Sequence, residues 1–193
     1  MKVLKNTQET ERVSLVLGDA NKISRIKEVN QKIFPVVYHN DFYQKLFAED
    51  VQTFMLEAFP ADQVSESVYA GIVSVRIAKQ ASEHRKREDT LCVCGNNESS
   101  IYVILLGVIE ALRGQGYGKG LVSKIEEIAR DNSIDHIVLH VQVSNLRAIE
   151  FYHKLGFKLI RLVKDYYSNV MPRDAFLLRR CLKKEIMARN SAL

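Results

Sequence analysis

Hydrophobic and polar positions separate strands from helices along this chain. Residues 12–17, Arg-Val-Ser-Leu-Val-Leu, alternate and read as a strand, which Gly18-Asp19 breaks. Asp19 is placed to cap a helix running to about Lys32, with Ile23, Ile26, Val29, Gln31 and Ile33 partly on one face. Phe34-Pro35 ends it, because proline turns its predecessor away from helix. A short helix is expected over Asp41 to Ala48, then strands over 51–59 and 67–78 joined across Pro60-Ala61-Asp62. Ile101 to Ile109 is almost unbroken apolar sequence, the pattern of a strand buried on both faces near a sheet centre. Leu121, Val122, Ile125, Ile128 and Ala129 follow helical spacing to about Asp131. His136 to Val143 reads as a strand, and Asn145 to Leu155 as a helix closed by Gly156. Phe157 to Tyr167 and Ala175 to about Lys184 are the last strands, with Met171-Pro172 in the turn between them. This order predicts a mixed α/β sheet rather than a regular βαβ series.

Composition narrows the class. The 193 residues are 47% apolar and 26% charged, which excludes a disordered chain, a collagen-like chain and a disulfide-built miniprotein. One domain is expected over 1–193. Residues 79–100 differ in composition, from the basic run His84-Arg85-Lys86-Arg87 to Gly95-Asn96-Asn97, and are expected to form a flexible hairpin insertion. No apolar run approaches the roughly 18 residues of a membrane span. Met1 to Arg12 is polar and unlike a signal peptide. Three cysteines cannot all pair, so a reducing interior is the expected setting, the cytoplasm first and the nucleus second. His84, Cys92 and Cys94 lack the count and spacing of a zinc site, so no metal is expected. The net charge of +5 is concentrated in residues 158–193, with nine basic and three acidic groups, and a basic tail begins near 185. Without interleaved aromatics this reads as a solvated face rather than a nucleic-acid surface.

The chemistry begins at Arg113-Gly114-Gln115-Gly116-Tyr117-Gly118, between a buried strand and a helix. Glycines let backbone N–H groups converge, and the helix N-terminus adds a positive dipole end, so the turn is built for an anion. A P-loop is excluded, because Arg113 stands in its first glycine slot and Gly120 follows Lys119. A dinucleotide turn is excluded by Lys119 in its third glycine slot. Arg113-x-x-Gly116-x-Gly118 instead resembles the acyl-CoA pyrophosphate loop of the Gcn5-related N-acetyltransferase (GNAT) superfamily. Asn145-x-x-Ala148-x-x-Phe151-Tyr152-x-x-x-Gly156-Phe157 resembles a second segment of the same superfamily. Phe34-Pro35-Val36-Val37-Tyr38, Ile101-Tyr102-Val103, Leu139-His140-Val141-Gln142 and Tyr166-Tyr167, in that order, resemble the NatE (San) group of N-terminal acetyltransferases. The sequence departs from that group at Ala111, in place of a proline, at Val37, in place of a small polar residue, and in a longer stretch from Arg76 to Tyr102.

The resemblance implies a GNAT fold, a mixed sheet of about six to seven strands flanked by about four helices. It implies acetyl transfer from acetyl-CoA to the α-amine of Met-first peptides, with nascent N-termini as partners and the NatA catalytic and auxiliary subunits at the ribosome as further ones. Tyr102 and His140 are implied as bases acting through water. Taken alone, a histidine among Val138, Leu139, Val141 and Val143 is more often a core residue, and Tyr102 alone is likewise usually core. Arg113, Gly114, Gln115, Gly116, Tyr117 and Gly118 are the implied acetyl-CoA loop. Asn145 is implied on the CoA arm and Tyr152 near its sulfur as a proton donor. Backbone N–H groups near Leu106 and Val108 are candidate oxyanion donors. Phe34, Pro35, Val36, Tyr38, Arg76, Tyr166 and Tyr167 are implied at the peptide cleft. Cys92, Cys94 and Cys181 lie outside these segments, which favours direct transfer over a covalent enzyme intermediate. Two alternatives stay open: a weakly catalytic acetyl-CoA-binding scaffold subunit, and an acetyltransferase for lysine or small amines.

Overall fold

The computed structural model describes residues 12–59, 67–78 and 99–182. Among them are strands β1 (Arg12–Leu17), β2 (Val51–Phe59), β3 (Val68–Ala78), β4 (Ser100–Val108), β5 (His136–Gln142), β6 (Lys158–Val163) and β7 (Ala175–Cys181). The helices are α1 (Ile23–Ile33), α2 (Asn40–Lys45), α3 (Tyr117–Asp131) and α4 (Leu146–Lys154). The strands form one mixed sheet in the order β1-β2-β3-β4-β5-β7-β6. β1 and β2 are antiparallel, β4 and β5 parallel, and β7 pairs antiparallel with both β5 and β6. The apolar run after Ser100 thus becomes the central strand, as its pattern requires. The Pro60–Asp62 turn, residues 79–98 with His84, Cys92 and Cys94, and the tail from 183 lie outside the described residues.

Several boundaries differ from the sequence reading, for local reasons. Asp19 caps a short 3-10 turn, Ala20–Lys22, by accepting the Asn21 N–H at 2.9 Å, and α1 begins only after it. Gln31 is exposed and Asn30 is buried instead. At 100° per residue, position 31 lies about 140° from Ile26 and position 30 only about 40° away. α2 stops at Lys45 because the following amides of Leu46, Phe47 and Ala48 bond three residues back, tightening the chain out of α geometry. β6 ends at Val163, where Asp165 takes a left-handed φ of 51°.

Chain contacts group into two compact units, Met1–Val75 with Ile104–Val122, and Arg76–Val103 with Ser123–Leu193. In the first, Ile26 and Val29 of α1, Tyr43 and Leu46, Met55, Ile72 and Leu105 form one buried cluster. Each such side chain contributes about 1.5–3 kcal/mol by leaving water. Thr53 donates to the Leu46 carbonyl at 3.1 Å and shares a 2.8 Å hydrogen bond with Ser74, so these buried hydroxyls are satisfied. In the second unit, Ile125, Ile128, Ile137, Leu139, Leu177 and Phe157 are buried. Arg180 of β7 donates to Glu126 of α3 at 2.7 Å, tying helix to sheet.

Candidate active site

Strand pairing in the second unit brings three residues of distant sequence together. β4 pairs with β5 from Ser100–His136 to Tyr102–Val138, which sets Tyr102 beside the strand carrying His140. The Tyr102 hydroxyl lies 3.0 Å from His140 Nδ1 and 2.7 Å from the Tyr166 hydroxyl. The His140 and Tyr166 rings stack at 4.1 Å with an 11° tilt, and Tyr167 meets Tyr166 edge-on at 4.8 Å. Tyr102 and Val163 pack against the buried Val138 and Leu177. The loop carrying the tyrosines is held by its own backbone. Asp165 N–H donates to the Asp174 carboxylate at 3.0 Å, and Tyr167 N–H donates to the Arg173 carbonyl at 2.9 Å.

Electrostatics keep the cluster neutral. Burial raises the Tyr102 phenol well above its ordinary value, and the neighbouring Tyr166 adds to this, while the Arg76 charge works in the opposite sense. Burial, with a smaller effect from Arg161, lowers His140 to about 4. At neutral pH the imidazole is uncharged and holds a lone pair, while the phenol keeps its proton. Burial also raises Tyr166 and Tyr152. Tyr152 of α4 is enclosed by Phe151 and Phe157, edge-on at 5.2 and 5.3 Å, and is a neutral donor at physiological pH. Asn145 is the N-cap of α4, its Oδ1 accepting the Ala148 N–H at 3.2 Å, so that oxygen serves the helix. The aromatic and charged candidates of this unit, Tyr102, His140, Tyr166, Tyr167 and Arg76, are therefore neighbours.

The first unit carries the glycine turn. Gly114 and Gly116 have φ of +81° and +88°, and a Cβ added at either would meet nothing within 4 Å. Open space thus faces the turn where the peptide backbone must approach an anion. α3 starts at Tyr117, and the first amide bonding back along it is that of Gly120, to the Gly116 carbonyl at 3.0 Å. The earlier amides of the first turn, those of Gly118 and Lys119 among them, precede that ladder and point toward its N-terminal end. The residues fit a pyrophosphate. Two side chains of the turn have contacts of their own. Arg113 is exposed, and its Nε donates to the Val108 carbonyl at 3.0 Å, which ties the turn to β4. Tyr117 is buried, because it lies on the core face of the helix. Leu106 is half-buried and Val108 buried on β4.

The aromatic segment after α1 is in the same unit. The Phe34 N–H closes the helix on the Asn30 carbonyl at 2.8 Å. Tyr38 stacks on Phe42 at 4.1 Å and meets Phe34 edge-on at 6.4 Å. Phe34, Val36 and Tyr38 are half-buried, Pro35 is exposed, and Val37 is 82% exposed. Gly107 of β4 lies directly under Ile33 and Phe34. Sequence reasoning missed this glycine, and also Asn30, which is 1% exposed with neither amide atom hydrogen-bonded. The signal for Asn30 was its position seven residues after Ile23, on the apolar stripe. Among the described residues no group of three His, Cys, Asp or Glu could hold a metal ion, and no helix is long and apolar enough to cross a membrane.

Comparison with known proteins gives a consistent result. The model of the acetyltransferase (GNAT) family matches residues 24–157. N-alpha-acetyltransferase 50 of Danio rerio is 29% identical over 170 residues, covering 86% of this chain and 88% of the relative. The probable N-acetyltransferase san of Drosophila melanogaster is 29% identical over 181 residues, covering 90% and 84%. The structure of Arabidopsis thaliana Naa50 in complex with the bisubstrate analogue CoA-Ac-MVNAL superposes with a TM-score of 0.67 at 26% identity, covering 87% of this chain and 97% of that one.

Proposed function

The chain belongs to the acetyltransferase (GNAT) family, and we propose that it transfers the acetyl group of acetyl-CoA to the α-amine of polypeptides beginning with Met. The observation that carries the reading is the buried, neutral Tyr102–His140 pair. A peptide α-amine has a pKa near 8, so part of it is already neutral at pH 7. Such a nucleophile needs only a weak acceptor for the proton it sheds on attack, and an uncharged imidazole supplies one. A lysine amine, near 10.4, asks for a stronger base. The relative solved with a Met-first bisubstrate analogue supports the same class of acceptor.

When bound, acetyl-CoA supplies the activated acetyl thioester. In this reading Gly114, Gly116 and Gly118 let the turn approach its pyrophosphate, and the first-turn amides of α3 donate to it. Tyr152 stays protonated and gives a proton to the departing sulfur. Phe34, Pro35, Val36 and Tyr38 surround the first side chain, and Arg76 and Tyr167 border the peptide. Nascent chains in the cytoplasm are the proposed acceptors, with the NatA subunits as docking partners. The test is acetyl-CoA turnover against free N-terminal peptides that vary in their first two residues, alongside an N-terminally blocked lysine peptide. Fast turnover of Met-Leu or similar peptides is expected. Equal turnover of the blocked lysine peptide refutes the N-terminal assignment, and acetyl-CoA binding without turnover of any acceptor marks a scaffold subunit.

A further inference from the structure

Six basic and two acidic residues stand between Lys158 and Cys181. Strand register decides which face of the sheet each one takes, because partners across a sheet point to the same side and neighbours along a strand alternate. Lys158 pairs with Arg179 and Arg179 with Val138, while Arg161 pairs with Leu177 and Leu177 with His140. Val138 in turn pairs with Tyr102. Lys158, Arg179 and Arg161 therefore share the face of Tyr102 and His140. Arg161 does so only because of an irregularity in β6. The register shifts between Leu159 and Arg161, so Ile160 is the extra residue of a bulge. In an unbroken ladder Ile160 would stand opposite Leu177, and Arg161 would turn to the other face. Arg180, the other basic residue of β7, does take that other face, where it donates to Glu126 of α3 at 2.7 Å.

Lys158 and Arg161 are exposed and Arg179 is half-buried, and none of the three forms an ion pair among the described residues. Of the two acids in this stretch, Asp174 holds the Asp165 N–H within the loop at 3.0 Å. The Arg161 charge reaches His140 and helps to lower its pKa, as the Arg76 charge on β3 acts on Tyr102. Arg161 stands two strands from His140, about 10 Å at about 4.8 Å per strand. An extended peptide advances about 3.3 Å per residue, so a chain with its α-amine at His140 comes level with Arg161 at about its fourth residue. We propose that Lys158, Arg161 and Arg179 select acceptor chains that carry acidic side chains at positions three to five. This rests on the N-terminal transfer reading above and narrows its substrate class. Carboxylates at those positions pair with Lys158 and with the forked N–H donors of Arg161, and Arg179 adds its charge to the same face. A basic side chain there meets like charge and is rejected. These contacts lie away from the reacting atoms and are equal in the ground and transition states, so they act on the peptide KM rather than on kcat.

The test is steady-state kinetics of the intact chain on free Met-Leu peptides of one length that differ only at positions three and four, as Glu-Glu, Gln-Gln or Lys-Lys. The acidic peptide is expected to show a kcat/KM about 2-fold to 30-fold above that of the Gln-Gln peptide, the range that two exposed ion pairs supply. The Lys-Lys peptide should fall below both. In the double variant Lys158→Glu, Arg161→Glu the order should invert. Each preference is a ratio of two peptides on one protein sample, so partial unfolding of the variant cancels. Moving the two glutamates to positions eight and nine, beyond the reach of β6, should abolish the preference in the wild type. Equal turnover of the three peptides by the wild type overturns the proposal, and so does a preference that the double variant keeps or that the displaced glutamates retain. In those cases Met-first peptides are still acetylated, and the N-terminal reading stands. Turnover of none of them, with a blocked lysine peptide acetylated instead, overturns that reading and this proposal together.

Discussion

Replacing Gly107 with alanine adds one methyl group where β4 lies under the end of α1. A Cβ there falls against Ile33 Cγ2 and lies 3.1 Å from Phe34 Cζ and 3.5 Å from Phe34 Cε1. Ile33 is β-branched and helical, with one strongly preferred rotamer, so it cannot swing aside cheaply. Relief must come from displacing the end of α1 or the Phe34 ring. Overpacking of this kind costs about 1–3 kcal/mol. For a chain of this length each kcal/mol lowers Tm by about 2–4 °C, so a drop of about 2–12 °C is expected. The displaced Phe34 should also loosen the proposed first-residue site. Losing the burial of a Met side chain, about 1.5–3 kcal/mol, lowers kcat/KM for a Met-first peptide by about 10-fold to 100-fold. The glycine turn is untouched, so the KM for acetyl-CoA should not move. Thermal melts and separate KM determinations for the two substrates read both effects. An unchanged Tm together with an unchanged peptide KM refutes the argument that the missing Cβ seats Phe34.

Gly116→Glu puts a carboxylate where the turn faces open space, and acetyl-CoA binding should vanish by calorimetry while the circular dichroism of the fold persists; full affinity would sink the anion-turn reading. Tyr102→Phe and His140→Ala should each lower kcat about 100-fold with acetyl-CoA affinity unchanged, and wild-type kcat in both would make them structural. Because His140 titrates at about 4, kcat/KM for a peptide should rise only with ionisation of its own α-amine near pH 8. An inflection near 6.5 that His140→Gln abolishes would contradict the lowered value. The same shift acts on stability. The unfolded imidazole binds a proton below about 6.5 and the folded one does not, so stability is complete above about 6.5 and falls toward pH 4. Allowing for the partial solvent exposure of the ring, the loss is about 1–2 kcal/mol, and urea melts of His140→Gln should be flatter over that range. Asn30→Leu removes a buried amide with no partner and should leave stability unchanged or raise it by about 1–3 kcal/mol; a destabilised or inactive variant would show that the amide holds a bound water or substrate.

Short-range rules made much of this molecule legible before any coordinates. The apolar run from Ile101 fixed a central strand, because only a strand covered on both faces tolerates such a run. Proline at position 35 ended α1, and Asn145 began α4 with its own side chain. The glycine turn was readable because left-handed backbone leaves its mark on residue type, and Gly114 and Gly116 both adopt it. These signals act over a few residues. The active cluster does not: Tyr102 meets His140 38 positions away and Tyr166 64 positions away. Candidate residues could be named from sequence, but their contacts depend on the registers of β4 with β5 and of β7 with its two neighbours, which no local pattern encodes. Tertiary packing also decided that the Arg113 Nε donates to the Val108 carbonyl and that Tyr117 is buried. Side-chain direction and strand partnership are settled by what lies opposite, and for this chain the opposite residues come from distant sequence.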